Sequence, residues 1–149
     1  MKRIMIMAVV MLVAACGEKG GNTAMMSGGD ASQQMDFAQV SKGARLYQKN
    51  CAECHGASGQ GNANWRQRDA DGMFPPPPLN GTGHTWHHPK EVLYDVITNG
   101  SPKGMGKMPA WRDKLSDEEI EAVIAWFQSR WPDQIYSAWY RMDRKARGG

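Results

Sequence analysis

Apolar residues recur along this chain in short helical periods, separated by polar stretches rich in glycine and proline. No segment makes a convincing strand. Val40, Gly43, Ala44 and Tyr47 stand at i, i+3, i+4 and i+7, one face of a helix. Extended, that stripe lands on Cys51 and Cys54, which predicts one amphipathic helix running straight into them. A second helix is expected over residues 89–98. Pro89 suits its first position and Gly100 its stop. Val92 and Val96 are read as inward-facing there, joined by Leu93 and Ile97. A third helix starts at Ser116, where Glu119 three residues on makes a capping box. Its stripe is Ile120, Val123, Ile124, Phe127 and Trp131. The fold class is all-α, three or more helices around a ligand.

The first apolar run is of another kind. Residues 4–15 are apolar throughout and follow Met1-Lys2-Arg3, the layout of a secretory signal peptide. A run of 12 residues is too short for a membrane-spanning helix, which needs about 20. It ends in Val13-Ala14-Ala15-Cys16, which resembles a bacterial lipobox. On that reading residues 1–15 are a lipoprotein-type signal peptide and Cys16 carries lipid. The alternative is a plain signal peptide cut near Ala15. Residues 16–35 are rich in Gly, Ser, Gln and Asn and read as a lipid-anchored flexible tether. A tether of that composition has a reach of roughly 25 Å. Residues 36–131 form one candidate domain, and residues 132–149 a helical or basic tail. In the tail, Ile135, Trp139 and Met142 at i, i+4 and i+7 predict a short helix packed on the domain. Arg141, Arg144, Lys145 and Arg147 leave open a helix that touches a membrane or an acidic partner. The expected location is the periplasmic side of a bacterial membrane.

Charge narrows the partners. The 18 basic and 15 acidic residues nearly balance, and two of the basic ones, Lys2 and Arg3, lie in the leader. There is no concentrated basic surface of the kind nucleic acid needs. The chain has 3 cysteines. If Cys16 takes lipid, Cys51 and Cys54 remain, and both belong to one motif.

That motif is Cys51-Ala52-Glu53-Cys54-His55, which matches C-x-x-C-H, the attachment site of a c-type haem. Two thiols and an imidazole at i, i+3 and i+4 reach one face of a flat macrocycle together. C-x-x-C also serves thiol redox chemistry and zinc sites, so the pentapeptide alone leaves these open. Gly56, Gly59 and Gly61 follow, residues that let backbone bend and approach a planar ligand closely. His55 supplies one ligand to iron. For the other side the sequence offers His84, His87, His88, Met73, Met105, Met108 and Met142. Pro109 forces Met108 toward extended backbone, in a loop between the second and third helices. This favours Met108, with Met105 of the same loop as its competitor. The three histidines of 84–88 could instead bind copper or zinc.

With these motifs together, the chain resembles a monohaem class I cytochrome c of the bacterial type. The likeness runs over about residues 38–131. It is carried by Gly43, Leu46-Tyr47, Cys51 to Gly56, Pro77-Pro78-Leu79-Asn80-Gly81, Met108-Pro109-Ala110-Trp111 and Leu115 to Ile120. The resemblance implies one haem c, held through Cys51 and Cys54, with His55 and Met108 as the axial ligands of iron. It implies that the Pro77 carbonyl receives a hydrogen bond from the His55 ring. It also implies that Gly43 packs against Trp126, or Phe127 in the adjacent register, and that Trp86 serves a haem propionate. The stretch from Gly61 to Pro75 is longer than in compact members. The implied function is single-electron transfer in or near a bacterial respiratory chain, with no enzymatic step. Implied partners are an oxidase, a reductase or a quinol-oxidising complex at the membrane. Two other readings stay open: a peroxidase-like haem enzyme with an open coordination site, and a haem or copper sensor or assembly factor.

Overall fold

The computed structural model describes residues 35–149. The expected signal peptide, the lipid site Cys16 and nearly all of the tether lie outside the described residues. Among the described residues there are five α-helices, one short 3-10 turn and no strand, as the all-α expectation requires.

Helix α1 spans Phe37–Asn50. Asp36 caps it, its carboxylate accepting from the Ala38 N–H at 2.8 Å. The helix does not run on into the motif as one rod. Cys51 stands between the two at φ −119° and ψ −29°, and a separate helical turn, α2, covers Ala52–His55. On this turn His55 is buried, whereas Cys54 is exposed. Helix α3 spans Lys90–Asn99, with Pro89 just outside it as the N-cap. Leu93 and Ile97 are its buried residues. Val92 is 40% exposed and Val96 half-buried, so the inward face is rotated by one residue from the expectation. Helix α4, Asp117–Gln128, carries the capping box: Glu119 N–H donates to Ser116 Oγ, and Ser116 N–H to the Glu119 carboxylate at 3.0 Å. Trp131 lies beyond its end yet is buried, its ring N–H donating to the Leu79 carbonyl at 2.7 Å.

The frame is the crossing of α1 and α4. At Gly43 an added Cβ would sit 1.9 Å from the Ala122 carbonyl oxygen. Only a residue without a side chain permits that approach. The register places Trp126, not Phe127, at Gly43. The Trp126 ring lies 3.9 Å from that of Tyr47. Tyr47, Ile120 and Ile124 are fully buried around this crossing.

Helix α5, Asp133–Ala146, is the packed helix the tail spacing predicted. Trp139 is buried with its ring edge-on to Trp131, and its N–H donates to the His88 carbonyl at 3.0 Å. Trp139 is turned into the protein with Tyr136 and Tyr140 partly buried beside it, while Arg141, Arg144 and Lys145 are exposed. Asp143, 0% exposed, accepts from the Lys90 N–H at 2.8 Å and pairs with Arg147. Pro89 has no side chain that can cap α3. Asp143 supplies that cap from another helix, a contribution of about 1 kcal/mol.

Candidate functional site

The site grows from the end of α1. Tyr47 lends its hydroxyl to the Gly56 carbonyl at 2.8 Å, tying the helix to the turn that follows His55. Gly56, Gly59 and Gly61 all take positive φ. At Gly61 the requirement is double: φ is +64°, and a Cβ would meet Pro78 N at 2.4 Å and the Pro77 carbonyl carbon at 2.5 Å. Backbone bonds from Asn62 N–H to Pro76 O at 2.9 Å and from Leu79 N–H to Gly59 O at 2.7 Å zip the two segments together.

This packing brings the Pro77 carbonyl to His55 Nδ1 at 3.1 Å. A carbonyl can only accept, so Nδ1 must carry the proton. That fixes the tautomer and leaves Nε2 as the lone-pair nitrogen. His55 is 8% exposed. Burial, the largest cause, pushes its pKa down, and the Pro77 bond opposes this in part. A neutral, oriented imidazole is the form that binds a metal. The Cys51 thiol is half-buried and pushed up to about 11, first by burial and then by Cys54 beside it. Neither Cys51 nor Cys54 is in a disulfide.

Among the methionines, Met108 is half-buried and packed against the hydrophobic core, whereas Met105 is 51% exposed. The loop bearing Met108 closes on Ser101, whose N–H donates to the Met108 carbonyl at 3.0 Å. The Ser101 hydroxyl receives the Met108 N–H at 3.3 Å. Met142 packs on the core from α5, and Met73 lies in the segment after Gly61. Ser101 was not foreseen; its place directly after the helix-ending Gly100 was the available signal. Trp86 sits in the 3-10 turn with its ring edge against His87.

His84, His87 and His88 do not form a metal cage. Among the described residues no group of three or more His, Cys, Asp or Glu side chains is placed to hold a metal ion. The rings stack instead: Trp65 lies on His84 at 4.9 Å, and His84 meets His88 edge-on at 5.3 Å. Nor, among the described residues, do Cys51 and Cys54 belong to such a group, so the zinc reading is not favoured.

Two thiols and a buried, tautomerically fixed imidazole on an all-α frame define a cytochrome c-type domain. Residues 38–127 match the family described as cytochrome C oxidase, cbb3-type, subunit III, and the chain belongs to it. Among curated relatives, the oxidase subunit CcoP of Azospirillum sp. (strain B510) is 34% identical over 61% of this chain and 28% of its own length. Cytochrome c6 of Bryopsis maxima is 36% identical over 56% of this chain and 83% of its own length. The subunit FixP of Azorhizobium caulinodans is 35% identical over 61% of this chain and 27% of its own length. The chain thus spans less than half the length of the oxidase subunits it matches. Its cofactor is covalently bound haem c. The residues present fit that group: two unpaired thiols one helical turn apart, beside an imidazole whose free nitrogen is Nε2. Among the described residues no helix is long and apolar enough to cross a membrane.

Proposed function

We propose that this protein is a single-electron carrier in which Cys51 and Cys54 hold haem c and His55 and Met108 are its axial ligands. The observation that carries this is the His55–Pro77 bond in a buried setting, since it prepares one imidazole nitrogen for iron. Bound haem c supplies an iron that takes up and gives up one electron. The chain's own part is to exclude water, hold the two ligands and keep the redox change free of large rearrangement. Histidine and methionine together favour a high reduction potential. Two strong ligands leave no position for substrate, which argues against the peroxidase-like reading. The partial burial of Met108 supports it as the sixth ligand over Met105.

The redox partner we infer is a membrane oxidase of the cbb3 class. The support is that CcoP and FixP relatives bear that oxidase's name and match over 91 and 92 residues. Location on the periplasmic side through lipid on Cys16 agrees with the leader and with the spare third cysteine. The visible spectrum tests the ligand set. The ferric protein should be low-spin with a weak sulfur-to-iron band. That band should vanish in Met108→Ala and persist in Met105→Ala. A high-spin wild-type spectrum would overturn the carrier reading.

A further inference from the structure

The loop that carries Met108 has two backbone bonds of its own, from Ser101 N–H to Met108 O at 3.0 Å at its base and from Met105 N–H to Pro102 O at 2.9 Å in its tip. It leaves Gly100 at φ +84° and contains Gly104 at φ +76° and Gly106. Such glycines carry high backbone freedom. Ser101 closes the base of the loop, but the tip lies beyond that closure. A Cβ built on Gly104 would meet nothing within 4 Å.

A second loop braces that tip. It belongs to the stretch after Gly61 that is longer than in compact cytochromes. Asp69 organises it, accepting from the N–H groups of Asp71 at 3.0 Å and Met73 at 2.9 Å. Asp69 N–H in turn donates to Met73 O at 2.8 Å. Two cations then cross between the loops in opposite directions. Arg68 donates to the Gly104 carbonyl at 2.7 Å while also bonding to Gly72 O within its own loop. Its guanidinium lies 4.2 Å over the Phe74 ring, which sets its direction. Lys107 reaches back to Asp69 at 3.0 Å and to Asp71. The Phe74 N–H donates to the Met105 carbonyl at 3.4 Å. Lys107 is the residue immediately before Met108.

We propose that residues 68–74 form a strap over the Met108 loop, with Arg68 and Lys107 as positioning residues that set how readily another ligand displaces Met108 from iron. This rests on the reading of Met108 as the sixth ligand. An exogenous ligand can bind only when the loop lifts, so its apparent affinity scales with the lifted fraction. The Lys107 side chain is 58% exposed, so each bridge is weak alone. Their reciprocal arrangement makes lifting cost both at once. The exposed Lys107 ion pairs are screened by salt, so that half of the strap should slacken at high ionic strength, whereas the Arg68 bond to a neutral carbonyl should change less.

The test titrates imidazole into the ferric holoprotein, full chain, at about 0.05 M and about 1 M salt. Arg68→Ala, Lys107→Ala and their double variant are compared with Lys103→Ala, which removes a charge from the same loop without touching the strap. Loss of one or both bridges should raise imidazole affinity by about 3–10-fold at low salt. For Lys107→Ala the gap from wild type should close at high salt. Lys107→Arg keeps charge and donors and should stay within about twofold of wild type. A Lys107→Ala effect no larger than that of Lys103→Ala, or one unchanged by salt, overturns the strap. Absence of the sulfur-to-iron band in the wild type overturns the ligand assignment and the strap's role with it. The band present with unaltered affinities overturns the strap alone.

Discussion

Under the proposed ligand set, the His55 turn and the Met108 loop face the same task with different materials. His55 is buried, its ring fixed by a backbone carbonyl, and that carbonyl is fixed by glycine-against-proline packing at Gly61. Met108 is half-buried, and a hydroxyl closes the base of its loop while exposed cations brace the tip. Buried backbone contacts are insensitive to salt and cooperative with the fold. Surface polar contacts open locally at small expense. On the proposed ligand set, one ligand is therefore part of the core, whereas the other hangs on a loop whose stability can be adjusted without unfolding the domain.

The sharpest way to break that contrast is at Gly61. A methyl group there meets Pro77 and Pro78 backbone and must also accept a positive φ. Left-handed strain and overpacking together should cost roughly 2–5 kcal/mol. For Gly61→Ala we expect a denaturant midpoint well below wild type in the holoprotein. A shift of less than about 1 kcal/mol would mean that the proximal turn yields easily, and the contrast would collapse.

Ser101→Ala probes the other side with a smaller effect. It removes the acceptor for the Met108 N–H, worth about 1 kcal/mol. Because the contact closes a surface loop, global unfolding should change by less than this. The ferric sulfur-to-iron band should instead fade at a lower temperature than in wild type, before the helices melt. Simultaneous loss of band and helicity at the wild-type temperature would show that the loop is not a separately opening unit.

How much of this could be read beforehand follows the same divide. Contacts between residues close in sequence, or fixed by periodicity, were legible: the C-x-x-C-H turn, the Ser116–Glu119 box and the tail helix. Gly43 and Trp126 were legible only through the resemblance, because a helix crossing has no local signature. Val92 was misplaced because both valines and their neighbours fit a helical stripe, and tertiary packing chose the rotation. The break at Cys51 was missed because the stripe continues across it in sequence although the backbone does not. Asp143 capping α3 across 53 residues has no sequence signal at all. The Arg68 and Lys107 bridges join residues 36 to 38 apart and look, in sequence, like ordinary surface charge.

The histidine loop allows a milder and fully reversible probe of the same contrast. It buttresses the proline segment: Thr85 donates to the buried Pro78 carbonyl at 3.0 Å, and Gly83 packs on Pro78. His84 is held below the ordinary histidine range, first by burial and then by His88, His87 and Arg66 nearby. His88 is lowered by burial and then by His87. Above the unfolded value of about 6.5 both rings are neutral folded or unfolded, so they add no slope. As pH falls below it, the unfolded chain takes up protons first and the folded state loses stability. Both rings are partly exposed, so the effect is modest. Thermal midpoints should decline between about pH 7 and pH 5, and His84→Gln/His88→Gln should flatten that decline. Throughout this range the sulfur-to-iron band should hold its intensity at room temperature, since the acid-sensitive groups brace the His55 side and not the Met108 loop. A band that weakens in step with histidine protonation would join the two sides mechanically, and the division between a core-held and a loop-held ligand would have to be given up.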